Sequence, residues 1–386
     1  MRCQRRITWP RISRRPWPGY STDRVAEVGA LPIRLDRARR ILLIKPSALG
    51  DVVHALPVVA TLKRRYPEIP LDWLVEEEAA PLVDGHPAVA TFVVSGRRRW
   101  LRQLRRPADI PATLGEIRVW VKGLRRHRYD VILDLQGLLK SALYVVAAGA
   151  PVRVGLADAR EGARWVLTHR VPVPPQPVHA VDRYLALAAA VDAPEAVRDF
   201  TIPLGSDDLG AARHLLADLP RPRVVLHPAA RWGTKLWEVE RWRAVAASLA
   251  EEGAGIVVTG GPADAAMAAA ICDGLRPPPL SLVDRVSLKG LAAVLRSADL
   301  MITVDSGPMH IAAALGTPVV ALFGPTDPAR TGPLGSGRVL RQPLPCSPCL
   351  QRTCRIAETR RCMRDLDAAA VLAAARDLLA AAPREA

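Results

Sequence analysis

Short apolar runs ended by Gly- or Pro-containing turns recur along this chain and alternate with stretches of helical periodicity. Ile41-Leu42-Leu43-Ile44 is continuously apolar, as a strand covered on both faces must be, and Pro46 to Gly50 is a turn. Val52, Val53, Leu56, Val59 and Leu62 then recur at helical spacing until Arg64, Arg65 and Pro67. Strand-like pieces follow at 71–75, 91–94 and 131–135, with helix-compatible stretches at 97–128 and 138–148. A second half repeats the plan: strands at 224–227, 256–259, 300–304 and 319–323, a helix at 237–252, and another after Asp305-Ser306-Gly307-Pro308 closed by Gly316. Alternation of this kind predicts α/β architecture with two doubly wound parallel sheets, joined between about 193 and 223. Ligands of such sheets sit outside the carboxyl ends of the strands, so two facing halves imply a cleft lined by 46–51, 227–235 and 305–307.

Charge needs separate treatment. The net charge of +16 invites a nucleic-acid reading, but it is uneven. Eleven Arg face three acids in the first forty residues, and eleven Arg or Lys face two acids between Arg97 and Arg128, which leaves the rest near neutral. Two local patches do not make a nucleic-acid surface, and no nucleic-acid partner is expected. Residues 1–39 read as a basic, disordered extension, 40–195 as the first domain, 196–222 as a linker and 223–386 as the second domain. No apolar run reaches the roughly 18 residues of a spanning helix, and no secretory signal pattern occurs, so a cytoplasmic protein is expected.

Several residues could carry chemistry. Ser306-Gly307-Pro308 would build a helix start with free N–H groups, an anion site or simply a strand-to-helix turn. His310 alone reads equally as a packing histidine. Only six Lys occur against forty-eight Arg, so Lys235 and Lys45 at strand ends hint that a compact ammonium is wanted there, or are solvated surface charges. Asp51 fits a helix N-cap; a carboxylate at that turn could also accept a proton from a hydroxyl. Cys346, Cys349, Cys354 and Cys362, spaced C-x2-C-x4-C-x7-C, fit a structural zinc or a cluster, or a set of reduced thiols.

Together the motifs resemble a family. Lys45-Pro46-Ser47-Ala48-Leu49-Gly50-Asp51-Val52-Val53-His54-Ala55-Leu56-Pro57 is similar to the opening loop of the ADP-heptose:lipopolysaccharide heptosyltransferases of glycosyltransferase family 9. Asp72-Trp73-Leu74-Val75-Glu76-Glu77, Asp134-Leu135-Gln136-Gly137-Leu138-Leu139-Lys140-Ser141 and His179-Ala180-Val181-Asp182-Arg183 continue the likeness in the first half. The second half adds Val304-Asp305-Ser306-Gly307-Pro308-Met309-His310 and Phe323-Gly324-Pro325-Thr326-Asp327-Pro328. The resemblance, which spans about 40 to 345, implies the GT-B fold of two Rossmann-like domains facing a central cleft. It also implies inverting transfer of heptose from ADP-heptose to Kdo-lipid A at the cytoplasmic face of the inner membrane, type I fitting better than type II. Asp51 would be the general base. Lys235, Thr234, Asp305, Ser306, Gly307 and His310 would bind the donor, with Asp264 standing where a ribose-binding carboxylate is sought. Two threonines expected in the donor loop are Ala229 and Ala230 here. Lys45, Ser47, Gly50, Arg97, Arg98, Arg102, Arg105, Gln136 and Lys140 would serve the acceptor. No cofactor is implied. Because Lys and backbone N–H groups can stabilise the leaving diphosphate, catalysis without a metal ion is expected: turnover should persist in excess chelator, and loss restored by magnesium would contradict it.

Overall fold

The computed structural model describes residues 31–173, 175 and 178–381. Two compact units divide between Pro203 and Leu204. The first holds a parallel sheet of β1 (Ile41–Ile44), β2 (Leu71–Glu76), β3 (Thr91–Ser95), β4 (Val131–Asp134), β5 (Val152–Leu156) and β6 (His169–Val171). The second holds β7 (Arg223–His227), β8 (Gly255–Val258), β9 (Leu280–Ser281), β10 (Leu300–Val304), β11 (Val319–Phe323) and β12 (Gly337–Arg341), also parallel. Their orders are β3-β2-β1-β4-β5-β6 and β12-β11-β10-β7-β8-β9. Read from its other edge, the second sheet repeats the first. Each therefore has one switch point, between β1 and β4 and between β7 and β10, where crossovers leave in opposite directions and open a crevice at the strand ends.

Continuous burial explains the unbroken apolar sequences of β1 and β11 and the largely apolar ones of β2, β4 and β10, where Asp72, Glu76, Asp134 and Thr303 are the polar exceptions. The helix Leu49–Arg65 turns Val52, Val53, Leu56, Val59 and Leu62 onto the core, and Lys63, Arg64 and Arg65 lie in its last turn, where cations suit the helix dipole. It packs against the helix Ala180–Ala190. In the second unit Val224, Leu226, Trp242, Val245 and Ile302 form a core that continues into Cys362, Met363, Leu366, Val371 and Leu378.

The expected boundaries shift in three places. Residues 1–30 of the anticipated extension lie outside the described residues, but 31–39 are tied to the first unit. There Leu35 is 1% exposed, and the Ile33 N–H donates to the Ala190 carbonyl at 2.8 Å. The anticipated linker contains the helix Ser206–Leu215, which packs on the helix Leu288–Arg296 and so belongs to the second unit. The 97–128 stretch is two helices, Arg97–Gln103 and Ile110–Arg126, because Pro107 starts a separate turn.

One buried ion pair secures the first sheet. Asp72 on β2 is fully buried and accepts from Arg40 Nε at 2.8 Å, Arg40 Nη2 at 2.9 Å and the Tyr129 hydroxyl at 2.8 Å. Removing one partner of such a pair strands the other charge away from water, at about 3–5 kcal/mol. Asp72→Ala should lower the unfolding free energy of this unit by that amount in a urea titration; a loss below about 1 kcal/mol would show the cluster to be dispensable.

Candidate active site

The first switch point gathers charge. Lys45, directly after β1, is 2% exposed, and its Nζ lies 3.8 Å from Asp51 Oδ2, 3.5 Å from the Leu135 carbonyl and 4.7 Å from the Tyr184 ring centroid. Burial pushes the Lys45 ammonium below its ordinary pKa, against the opposing pull of Asp51 and Asp134. Asp51 is not the N-cap. The helix starts at Leu49 with Ala48 as its cap, and Asp51 stands at the third position, where its Oδ2 accepts the Ala48 N–H at 3.1 Å. Its Oδ1 accepts the Tyr184 hydroxyl at 3.1 Å. Helix 180–190 delivers that hydroxyl, and its burial and the nearby Asp51 charge raise the Tyr184 pKa well above the phenol value, so it stays a donor. Both carboxylate oxygens are thus oriented, and the side chain remains about one-third exposed.

Around this pair stand the other anticipated acceptor residues. Asp134 at the end of β4 is buried, which raises its pKa, while it accepts from the Gln136 and Gly137 N–H groups at 2.9 and 3.1 Å and from the Ser141 hydroxyl at 2.9 Å. These bonds fix the 136–141 turn so that Lys140 donates to the Ser47 hydroxyl. Burial lowers the Lys140 pKa as well. Gly50 is buried in the first turn of the helix. Gln136 Oε1 is buried with no hydrogen-bond partner among the described residues.

The basic segment divides. Arg97 Nε donates to Glu76 Oε1 at 2.7 Å, and Arg98 Nε lies 3.3 Å from Glu76 Oε2 and 3.6 Å from Glu78. Arg99 is held between Glu77 and Glu116. The acids at the end of β2 therefore absorb the charge of the first turn, while Arg102 and Arg105 stay exposed.

The second switch point carries the anticipated donor residues. The turn Gly233–Lys235 after β7 places Lys235 Nζ 2.6 Å from Asp305 Oδ2, and Thr326 donates to the same oxygen at 2.6 Å. Ser306 caps the helix Gly307–Ala314, its hydroxyl 3.1 Å from that of Thr303, and His310 is buried within the helix. Two anticipated donor ligands have other work in this geometry. Thr234 donates to the Gln351 carbonyl at 2.9 Å, and Asp264 Oδ2 accepts the Gly261 N–H at 2.8 Å at the start of a turn. His227 ends β7 with Nδ1 3.0 Å from the Thr259 hydroxyl, which itself donates to the Leu226 carbonyl at 3.3 Å. Thr259 therefore accepts from Nδ1–H, leaving Nε2 as an acceptor; burial lowers the His227 pKa to about 4 and keeps the ring neutral near pH 7.

The four cysteines, expected as a structural metal site or a set of reduced thiols, lie near one another: burial raises the Cys362 pKa, and Cys349, Cys346 and Cys354 add to the effect. Among the described residues no group of three or more His, Cys, Asp or Glu side chains is arranged to hold a metal ion. Cys346 and Cys349 are exposed, the Cys354 sulfur accepts the Arg360 N–H at 3.4 Å, and Cys362 is packed in the second core. Sequence reasoning missed Tyr184 altogether and assigned no role to His227, Thr326 or Glu76, although it named all three. The signals for them were strand-end position, for Glu76 and Thr326 the quoted motifs that contain them, and for Tyr184 its place directly after His179-Ala180-Val181-Asp182-Arg183.

The model of glycosyltransferase family 9 (heptosyltransferase) matches residues 117–359. Lipopolysaccharide heptosyltransferase 1 of Pseudomonas aeruginosa is 37% identical over 328 residues, covering 83% of this chain and 88% of that protein. The structure of Escherichia coli heptosyltransferase WaaC with ADP superposes with a TM-score of 0.68 at 29% identity, covering 88% of this chain and 99% of that one. That of E. coli ADP-heptose lipopolysaccharide heptosyltransferase II gives 0.70 at 26% identity, covering 88% and 98%. The two six-stranded Rossmann-like units are the GT-B architecture, and the chain is a glycosyltransferase that belongs to family 9, the heptosyltransferases.

Proposed function

We propose that this enzyme transfers L-glycero-D-manno-heptose from ADP-heptose to a Kdo residue of the lipopolysaccharide inner core, Kdo-lipid A, as a type I heptosyltransferase. The observation that carries the reading is the pairing of chemistry with topology: a doubly oriented carboxylate at the switch point of one sheet, and a Lys, Asp and Thr set at that of the other. Asp51 takes the proton from the attacking Kdo hydroxyl, whose oxygen forms the new bond to the anomeric carbon as the bond to ADP breaks. ADP departs with the electron pair, and inversion follows from a single displacement. Lys235 and the N–H groups opening the helix at Gly307 neutralise the departing diphosphate. Tyr184 and Lys45 position Asp51 without touching substrate, and Lys140, Arg102 and Arg105 supply cations for the anionic acceptor.

The acceptor is a lipid, and we place the enzyme at the cytoplasmic face of the inner membrane. Among the described residues no helix is long and apolar enough to span a bilayer. Leu139, Leu143 and Val146 line one exposed face of the helix Leu139–Ala148. The turn Ala163–Val166, packed on that helix, holds Trp165 at 73% exposure, with Arg164 and Arg170 5.0 and 5.8 Å from its ring. An apolar face fringed by cations suits an anionic interface.

Incubation of the enzyme with ADP-heptose, with and without acceptor, tests the reading. ADP release should require Kdo-lipid A, exceed that with heptosyl-Kdo-lipid A, and slow in Trp165→Ala when the acceptor sits in anionic vesicles but not when dispersed in detergent. Release without any acceptor points instead to hydrolysis, and preference for the heptosylated acceptor to a type II enzyme.

A further inference from the structure

The Cys-rich segment has no part in the mechanism above, yet it is built onto the loop that presents Lys235. Three contacts join them. Thr234 donates to the Gln351 carbonyl at 2.9 Å, Arg360 Nη1 reaches the Gly233 and Leu236 carbonyls at 3.4 Å each, and Arg352 lies with its guanidinium carbon 5.4 Å from the Trp232 ring centroid. The segment is itself anchored below. Cys362 and Met363 belong to the second core, and an added Cβ at Gly324 would come within 3.0 Å of Cys362 Sγ and 2.6 Å of Met363 Sδ. Ser347 donates to the Gly324 carbonyl at 2.5 Å. Its buried end is thus fixed against β11 while 351–360 reaches the loop after β7.

Charge then decides what this arrangement can bind. The Lys235 ammonium is 2.6 Å from the Asp305 carboxylate, so the pair is close to neutral overall and is a weak attractor for a diphosphate. A second cation is needed, and the Trp232 ring supplies its position, because Lys235 Nζ lies 4.8 Å from the same ring that Arg352 approaches. The Arg352 side chain is exposed and so available to a ligand. We propose that the Cys-rich segment completes the donor site, with Arg352 binding the diphosphate of the nucleotide sugar beside Lys235, and with Arg360 and the Thr234–Gln351 bond positioning the Lys235 loop. The assignment rests on the donor reading above. Cys362 anchors the segment in the second core, and Arg352 is exposed beside the Lys235 loop.

Isothermal titration with ADP, AMP and adenosine tests this on the full chain. Arg352→Gln should weaken ADP binding about tenfold or more, as expected for one charge-assisted contact, and AMP binding less, with adenosine unchanged. Arg352→Lys should recover part of the loss, and Arg355→Gln, an exposed charge removed three residues further on, should leave ADP affinity at the wild-type value. Thermal melting points of all three variants should match wild type. Equal loss for ADP and adenosine, or wild-type ADP affinity in Arg352→Gln, would overturn the assignment while leaving the donor reading standing. Failure of the wild-type enzyme to bind ADP at all would overturn both.

Discussion

Burial of both faces of a parallel sheet is the constraint from which the rest follows. A strand covered by helices on each side has no water to solvate a polar side chain, so its interior positions are mostly apolar, an exception such as Asp72 needing an ion pair, and polar groups gather where the strand ends. In this chain the transition is abrupt: Ile44 is followed by Lys45, Leu133 by Asp134, Leu226 by His227 and Val304 by Asp305. Because both sheets have the same strand order, these four positions fall at two equivalent switch points. Site chemistry is therefore a consequence of where the apolar runs must stop.

The polar groups at those points are buried, and each is compensated in kind. Asp134 receives three hydrogen bonds, Asp51 is held through both oxygens, and Asp305 shares one oxygen between Lys235 and Thr326. Such networks hold side-chain geometry before any substrate arrives, which is what lowers the cost of reaching a transition state. The depressed pKa values of Lys45 and Lys140 share one cause, burial of an ammonium.

Much of this was legible from the residues. The strands β1, β10 and β11 were readable because full burial leaves a run that is apolar throughout or, in β10, broken only by Thr303, and the strand-end turns followed from Pro, Gly and Asp punctuation. The strands β5, β6, β9 and β12 were not: they are short or partly exposed, and Arg153, Arg170, Ser281 and Arg338 interrupt their patterns. Local spacing also misjudged Asp51 by placing it at the cap, since a carboxylate three residues into a helix can reach back to the cap N–H just as a cap residue reaches forward. Pairings across long sequence separations were out of reach altogether. Nothing near Arg97 announces that Glu76 will neutralise it, and nothing near Thr234 that its hydroxyl will turn to Gln351.

The role of Asp51 is the claim on which the mechanism turns, and comparing turnover with donor affinity in Asp51→Ala tests it most directly. Loss of the base should lower kcat by about 100- to 10,000-fold while ADP-heptose affinity, measured by titration, stays within about twofold of wild type. Turnover within a few-fold of wild type, accompanied only by a lower melting temperature, would contradict the account and leave Asp51 as a group that holds the start of its helix.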